Sequence, residues 1–91
     1  MDYKKVASDI IENVGGKENI KSMTHCFTRL RFVLRDNKKA DKDVVSRLEG
    51  VIQVVEASGQ FQVVLGSKVN KIYDQAVALL GGEMVGEGDV E

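Results

Sequence analysis

Cysteine occurs once in the chain, at Cys26, inside the run His25-Cys26-Phe27-Thr28-Arg29-Leu30-Arg31-Phe32. A thiol that titrates at about 8.5 in isolation falls to roughly 3.5–7.5 beside cations or unpaired backbone N–H groups, so a cysteine followed closely by two arginines is placed to act as a thiolate. The same arginines offer planar forks of donors matched to phosphate oxygens, which points to a phosphoryl group held on sulfur. The competing reading is a small buried hydrophobe, the common state of a lone cysteine. His25 reads either as a ligand-facing donor or as a side chain satisfying a local hydrogen bond. Thr28 reads either as a donor to a phosphoryl oxygen or as a turn hydroxyl bonded to its own backbone.

Other chemistries fit the spacing less well. Two residues separate Cys26 from Arg29 and four separate it from Arg31, which misses the tyrosine-phosphatase signature, and no glycine-rich cradle follows the cysteine. A metal site lacks ligands, because His25 and Cys26 are adjacent and no second cysteine or histidine exists to complete a tetrahedron. Disulfide exchange lacks a resolving thiol. Nucleic-acid binding is the alternative from a different class: Arg29, Arg31, Arg35, Lys38, Lys39 and Lys42 crowd one stretch, and such a cluster contacts phosphates when it forms one patch. The strands lack the aromatic pair on which such sheets stack bases, and the lysines read equally as a solvated face.

The elements that must position Cys26 are legible from periodicity. Tyr3, Val6, Ala7, Ile10, Ile11 and Val14 recur at helical spacing, Asp2 stands at the cap position and Gly15-Gly16 follows, which predicts a helix over 3–14. Residues 20–24 read as a short strand ending at His25 and Cys26. Residues 29–35 alternate, sending Leu30, Phe32 and Leu34 to one face and Arg29, Arg31, Val33 and Arg35 to the other. After a polar stretch, Asp41 caps a short helix carrying Val44, Val45 and Leu48, closed by Gly50. Strands over 51–57 and 61–65 follow, joined through Ser58-Gly59-Gln60. Ser67 is expected to open a last helix whose stripe is Val69, Ile72, Tyr73, Ala76, Val77 and Leu80, with Gly81-Gly82 as its stop.

The order α-β-β-α-β-β-α implies an α+β, two-layer sandwich with the helices on one face of an antiparallel sheet. Its other face carries Val33, Val55, Val64, Gln53, Gln62 and the arginines. Ninety-one residues make one small domain, placed at 1–82, and the acidic, glycine-rich stretch 83–91 reads as a linker. The composition, 43% hydrophobic and 30% charged with a net charge of −1, is that of a soluble globular chain. No window approaches the roughly 20 apolar residues of a membrane helix, so no direct membrane insertion is expected. One cysteine and no apolar leader after Met1 favour a reducing cytoplasm.

The combination of motifs carries a family resemblance. HCFTRLRFVLRD, from His25 to Asp36, and Gly59-Gln60-Phe61-Gln62-Val63-Val64-Leu65-Gly66 together make the chain resemble, from about Tyr3 to Gly82, the cytoplasmic IIB domain of sugar-specific permeases of the bacterial phosphoenolpyruvate-dependent phosphotransferase system, in the glucose/β-glucoside/sucrose/trehalose superfamily. Phe27 stands where that family has a small residue, and Ser58 where it often has a second glycine. The resemblance implies strand order 1-2-4-3 in a four-stranded sheet. It implies a protein-phosphocysteine–sugar phosphotransferase in which Cys26 takes a phosphoryl group from the phosphohistidine of a IIA domain and passes it to a sugar held by a membrane-embedded IIC domain. Thr28, Arg29 and Arg31 would bind the phosphoryl group, with His25 and Phe27 as further site residues. It implies no cofactor, no metal and no nucleic-acid partner, and it places the chain as the cytoplasmic domain of a cell-membrane permease, with 83–91 leading toward IIC.

Overall fold

The computed structural model describes residues 1–81; the expected linker at 83–91 and the stop at Gly82 lie outside the described residues. Helix α1, Tyr3–Asn13, starts where the Asp2 carboxylate accepts the Lys5 N–H at 3.1 Å, satisfying a donor that the first turn leaves orphaned. Its buried stripe is Val6, Ala7 and Ile10, with Val14 just beyond. Two hairpins follow, β1 (Ile20–His25) with β2 (Arg29–Leu34), and β3 (Gln53–Ala57) with β4 (Gln60–Val64). The five-residue α2, Lys42–Ser46, sits between them, capped by Asp41 through the Val44 N–H. Helix α3, Val69–Leu80, ends at Gly81, whose φ of 69° is the left-handed cap conformation.

All strand pairs are antiparallel and the sheet order is β1-β2-β4-β3. The two hairpins meet through β2 and β4, whose opposed Phe32 and Phe61 are both buried. Met23, Leu30, Phe32, Val54, Phe61 and Val63 face Val6, Ile10, Val69, Ile72, Ala76 and Leu80 of the two long helices in one continuous core. Each such side chain contributes about 1.5–3 kcal/mol on burial. Periodicity alone therefore places the helices on one face and leaves Arg29, Arg31, Val33, Val55, Gln62 and Val64 on the other.

Several boundaries differ from expectation. The last helix does not open at Ser67: a 3-10 turn spans Gly66–Lys68, and α3 begins at Val69 without a side-chain cap. Strand β4 begins at Gln60, because Ser58 and Gly59 both have positive φ (54° and 73°) and close a two-residue turn with Ala57 paired to Gln60. That pair of angles matches the right-handed twist of the strands it joins. β3 starts at Gln53, although Ile52 still donates its N–H to the Val64 carbonyl at 2.8 Å. At the far end of the sheet the buried Asn19 ties α1 to the end of β2. Its amide donates to the Val14 and Asp36 carbonyls at 2.7 and 2.9 Å and accepts the Asp36 N–H at 2.9 Å.

Candidate functional site

The β1–β2 loop, residues 26–28, is closed by the Cys26 N–H donating to the Arg29 carbonyl at 3.0 Å. It contains no glycine, and none of its residues has a positive φ. Neighbours hold it instead. The Thr28 carbonyl accepts the N–H groups of Leu65 and Gly66 at 2.8 and 3.0 Å, which pins the loop to the connection between β4 and α3. His25 Nδ1 lies 3.0 Å from the Cys26 carbonyl; a carbonyl only accepts, so Nδ1 carries the proton and donates it. The imidazole in turn stacks at a tilt on Tyr73 of α3, ring centroids 4.3 Å apart.

His25 is paired with the buried Leu30, so it belongs to the helix-facing side of the sheet, away from the arginines. It meets the loop as an anchor on the Cys26 carbonyl. Phe27 is 73% exposed and Thr28 is exposed, while Cys26 between His25 and Phe27 is only 7% exposed. The thiol is buried, as for a small hydrophobe, but it stands outside the apolar core cluster.

The groups around the sulfur favour its anion. Burial, the largest single influence, pushes the Cys26 thiol up, but it is outweighed by hydrogen bonds from the Thr28 backbone, the Arg31 side chain and the Arg29 backbone, together with the Arg31 charge. The thiol is held below its ordinary value as a result. Main-chain hydrogen bonds that act in this direction come from N–H donors. The Thr28 carbonyl and the Arg29 N–H share one planar trans peptide and point in opposite directions. With that carbonyl committed to Leu65 and Gly66, the Arg29 N–H is turned toward the sulfur.

The two arginines, which alternation puts on one face, have different guanidinium partners. Arg31 acts on Cys26 directly and also donates from Nη1 to Gln60 Oε1 at 3.2 Å. Arg29 sends its Nη1 to Gln62 Oε1 at 2.8 Å, while its backbone N–H favours the thiolate. Gln62, only 5% exposed, donates in turn to Gln60 Oε1 at 2.9 Å. Gln60 was not distinguished by the sequence because it was counted into the turn. Starting β4 immediately after Gly59 puts Gln60 and Gln62 on the arginine face by simple alternation.

The structure thus gathers Cys26, the Thr28 and Arg29 backbone and the Arg31 fork at one end of the sheet. The basic residues Arg35, Lys38, Lys39 and Lys42 are not part of this cluster. They follow the opposite end of β2, interleaved with Asp36, Asp41 and Asp43, and Lys42 stands 4.0 Å from Glu56. This stretch carries charges of both signs rather than basic residues alone.

Comparison with known proteins bears directly on this arrangement. The family model described as phosphotransferase system, EIIB, matches residues 8–41, the segment containing the loop and both arginines. A solved structure, one domain of the PTS system IIabc component from Clostridium difficile, superposes with a TM-score of 0.86 at 33% identity, covering 98% of this chain and 92% of that one. The chain is 44% identical over 91 residues to the PTS system beta-glucoside-specific EIIBCA component of Halalkalibacterium halodurans, of which it spans 14%. It is 49% identical over 75 residues to the PTS system sucrose-specific EIIBC component of Bacillus subtilis, of which it spans 16%. The chain is therefore similar to a small part of each of these longer proteins. Among the described residues no helix is long and apolar enough to cross a membrane.

Proposed function

Because the chain belongs to the EIIB family of the phosphotransferase system, we propose that it carries a phosphoryl group on Cys26 from a phosphohistidine donor to a sugar. The observation that supports this best is the convergence on one buried thiol, outside the apolar core, of two backbone N–H groups and one guanidinium.

In the first step the Cys26 thiolate attacks phosphorus; the S–P bond forms as the N–P bond of the donor breaks, and the donor imidazole keeps that electron pair. In the second step a sugar hydroxyl oxygen attacks, the O–P bond forms and the S–P bond breaks. The thiolate is regenerated and the hydroxyl proton leaves to solvent or to a base on the sugar-binding partner. Such transfers depend on positioning and charge stabilisation more than on covalent help from the protein. The donors that favour the thiolate are placed to bind the nonbridging oxygens once phosphorus sits on sulfur: the Thr28 and Arg29 N–H groups and the Arg31 fork. Arg29, released from Gln62, adds a second fork, and the Thr28 hydroxyl is a further donor at the same loop. Phe27, 73% exposed, forms an apolar contact with a docked partner.

In this reading the donor is a IIA domain and the sugar is held by a membrane-embedded IIC domain. The names EIIBCA and EIIBC among the relatives support a C component in one polypeptide with B, and the first of them an A component as well. Incubation with phosphoenolpyruvate and the general relay proteins, followed by intact mass and digestion, tests the proposal. The expected result is one phosphoryl group on the peptide containing Cys26, discharged when a IIC domain and its sugar are added. A phosphoryl group on any other residue overturns the assignment.

A further inference from the structure

We propose that Gln60 is a positioning residue that holds the Arg31 fork at Cys26 and couples it to Arg29 through Gln62. The inference rests on the phosphoryl-carrier reading of Cys26 and concerns how the open face of the sheet prepares that site.

The hydrogen-bond chain has one possible polarity. Arginine only donates, so Gln62 must present its amide oxygen to Arg29, leaving its NH₂ group to face Gln60. Gln60 then has donors on both sides, Gln62 Nε2 at 2.9 Å and Arg31 Nη1 at 3.2 Å, and must turn its oxygen toward them. A single amide oxygen thus accepts from one guanidinium directly and, through Gln62, is linked to the other. Gln60 is suited to this by its place in the chain: it is the first residue of β4, and its partner on the edge strand is Ala57, which brings no competing polar side chain.

Arg31 is long and has many rotamers, and fixing such a side chain is costly in entropy. With Nη1 held by Gln60, the guanidinium is kept over the sheet, where a hydrogen bond from it and its charge favour the thiolate of Cys26. Arg31 and Arg29 of β2 are the charged groups on this face of the sheet beside the loop, and His25 of β1 lies on the opposite face, against the Cys26 carbonyl. Of these, Arg31 alone is held by Gln60. Gln60 therefore acts on Cys26 through Arg31 and touches neither phosphorus nor sugar.

Gln60→Met keeps the side-chain length and removes the acceptor. In the 91-residue chain the readout is the pH profile of Cys26 alkylation by iodoacetamide. The expected result is a profile displaced to higher pH, with alkylation at neutral pH slowed roughly threefold to tenfold, the size of one ordinary hydrogen bond, since the effect reaches the sulfur only through Arg31. Arg31→Met should displace the profile further, and adding Gln60→Met to Arg31→Met should displace it no more. A Gln60→Met profile identical to wild type, or a Gln60 effect that persists undiminished without Arg31, overturns the positioning role. If Gln60→Met does not fold, Gln60→Asn, one methylene too short, should shift the profile in the same direction, and an unchanged profile again overturns the proposal. Phosphorylation of the wild-type chain is measured in parallel. Absence of phosphate on wild-type Cys26 defeats the carrier reading, whereas an unchanged alkylation profile defeats the Gln60 assignment alone.

Discussion

The two hairpins of this sheet have connections of similar length built by opposite means. Ser58-Gly59 closes β3 to β4 with its own backbone, two consecutive residues at positive φ, and needs no partner beyond the strands. Residues 26–28 close β1 to β2 without any positive φ, and are held by His25, Leu65 and Gly66 instead. A self-sufficient turn has no reason to aim its N–H groups inward. In the β1–β2 loop the Thr28 carbonyl, drawn to Leu65 and Gly66, turns the Arg29 N–H of the same peptide the other way, toward the sulfur. The loop that carries Cys26 is the one whose shape is imposed from outside.

The sharpest way to break this comparison is to exchange the central side chain of each turn. Cys26→Ser should abolish phosphoryl acceptance, since a serine hydroxyl is far less acidic than a thiol and is a poor nucleophile without a base. Ser58→Ala should leave acceptance at the wild-type rate. Radiolabel transfer from the donor measures both. Retained labelling of Cys26→Ser would remove the chemical distinction between the hairpins.

Next in size is the difference between the arginines. Arg31→Lys keeps the charge but loses the fork, and should slow phosphoryl transfer on the order of a hundredfold, comparable to removing one preorganised donor. Arg29→Lys should slow it by about tenfold, chiefly in transfer to sugar, because the Arg29 backbone donor survives the change. Measuring the two half-reactions separately checks this, and equal losses would mean that the resting contact of Arg29 with Gln62 has no bearing on its role.

A smaller effect is thermodynamic. Cys26 has a lowered folded value, so between that value and the ordinary thiol range near about 8.5 it is ionised when folded and protonated when unfolded. Stability therefore rises with pH through this window, is fully present above it, and is lost as pH falls through the folded value. Urea midpoints measured across the window should show this rise in the wild-type chain and in Ser58→Ala, and should not show it in Cys26→Ser.

The smallest effect falls on the self-sufficient turn. Ser58 sits at φ 54°, a conformation in which a side chain costs about 1–2 kcal/mol, part of which glycine offsets with its greater unfolded entropy. Ser58→Gly should gain about 0.5–1 kcal/mol in urea unfolding and leave the alkylation profile of Cys26 unchanged. A shift of that profile would show that the two hairpins are coupled more tightly than their hydrogen bonds indicate.

Much of this was present in the order of residues. Helical spacing in α1 and α3 and alternation through Arg29–Leu34 depend only on the geometry of a single element, so the core stripe and the arginine face could be read directly. Cys26 stood out because of residue types adjacent to it in the chain. The start of β4 was misplaced by one residue, since the positive φ of Ser58 is unusual for a side-chain-bearing residue and gave no local signal; this is why Gln60 was missed. Order 1-2-4-3 was implied only by resemblance, because strand pairing between hairpins depends on which buried faces fit, as Phe32 does with Phe61.

By itself, then, the sequence determined the elements and their buried faces and singled out Cys26 as the candidate for the chemistry proposed above, all from properties with a range of a few residues. Tertiary structure decided what surrounds that residue. Leu65 and Gly66 lie far from Thr28 in the chain, yet their N–H groups orient the loop. Gln60 and Gln62 are 29 and 33 residues from the arginines they hold. Only the pairing of β2 with β4 brings these groups together, and a hydrogen bond acts over about 3 Å, however far apart its partners lie in sequence. The difference between Arg29 and Arg31, equivalent by alternation, arises for the same reason: each fork takes the acceptor that the neighbouring strand presents to it.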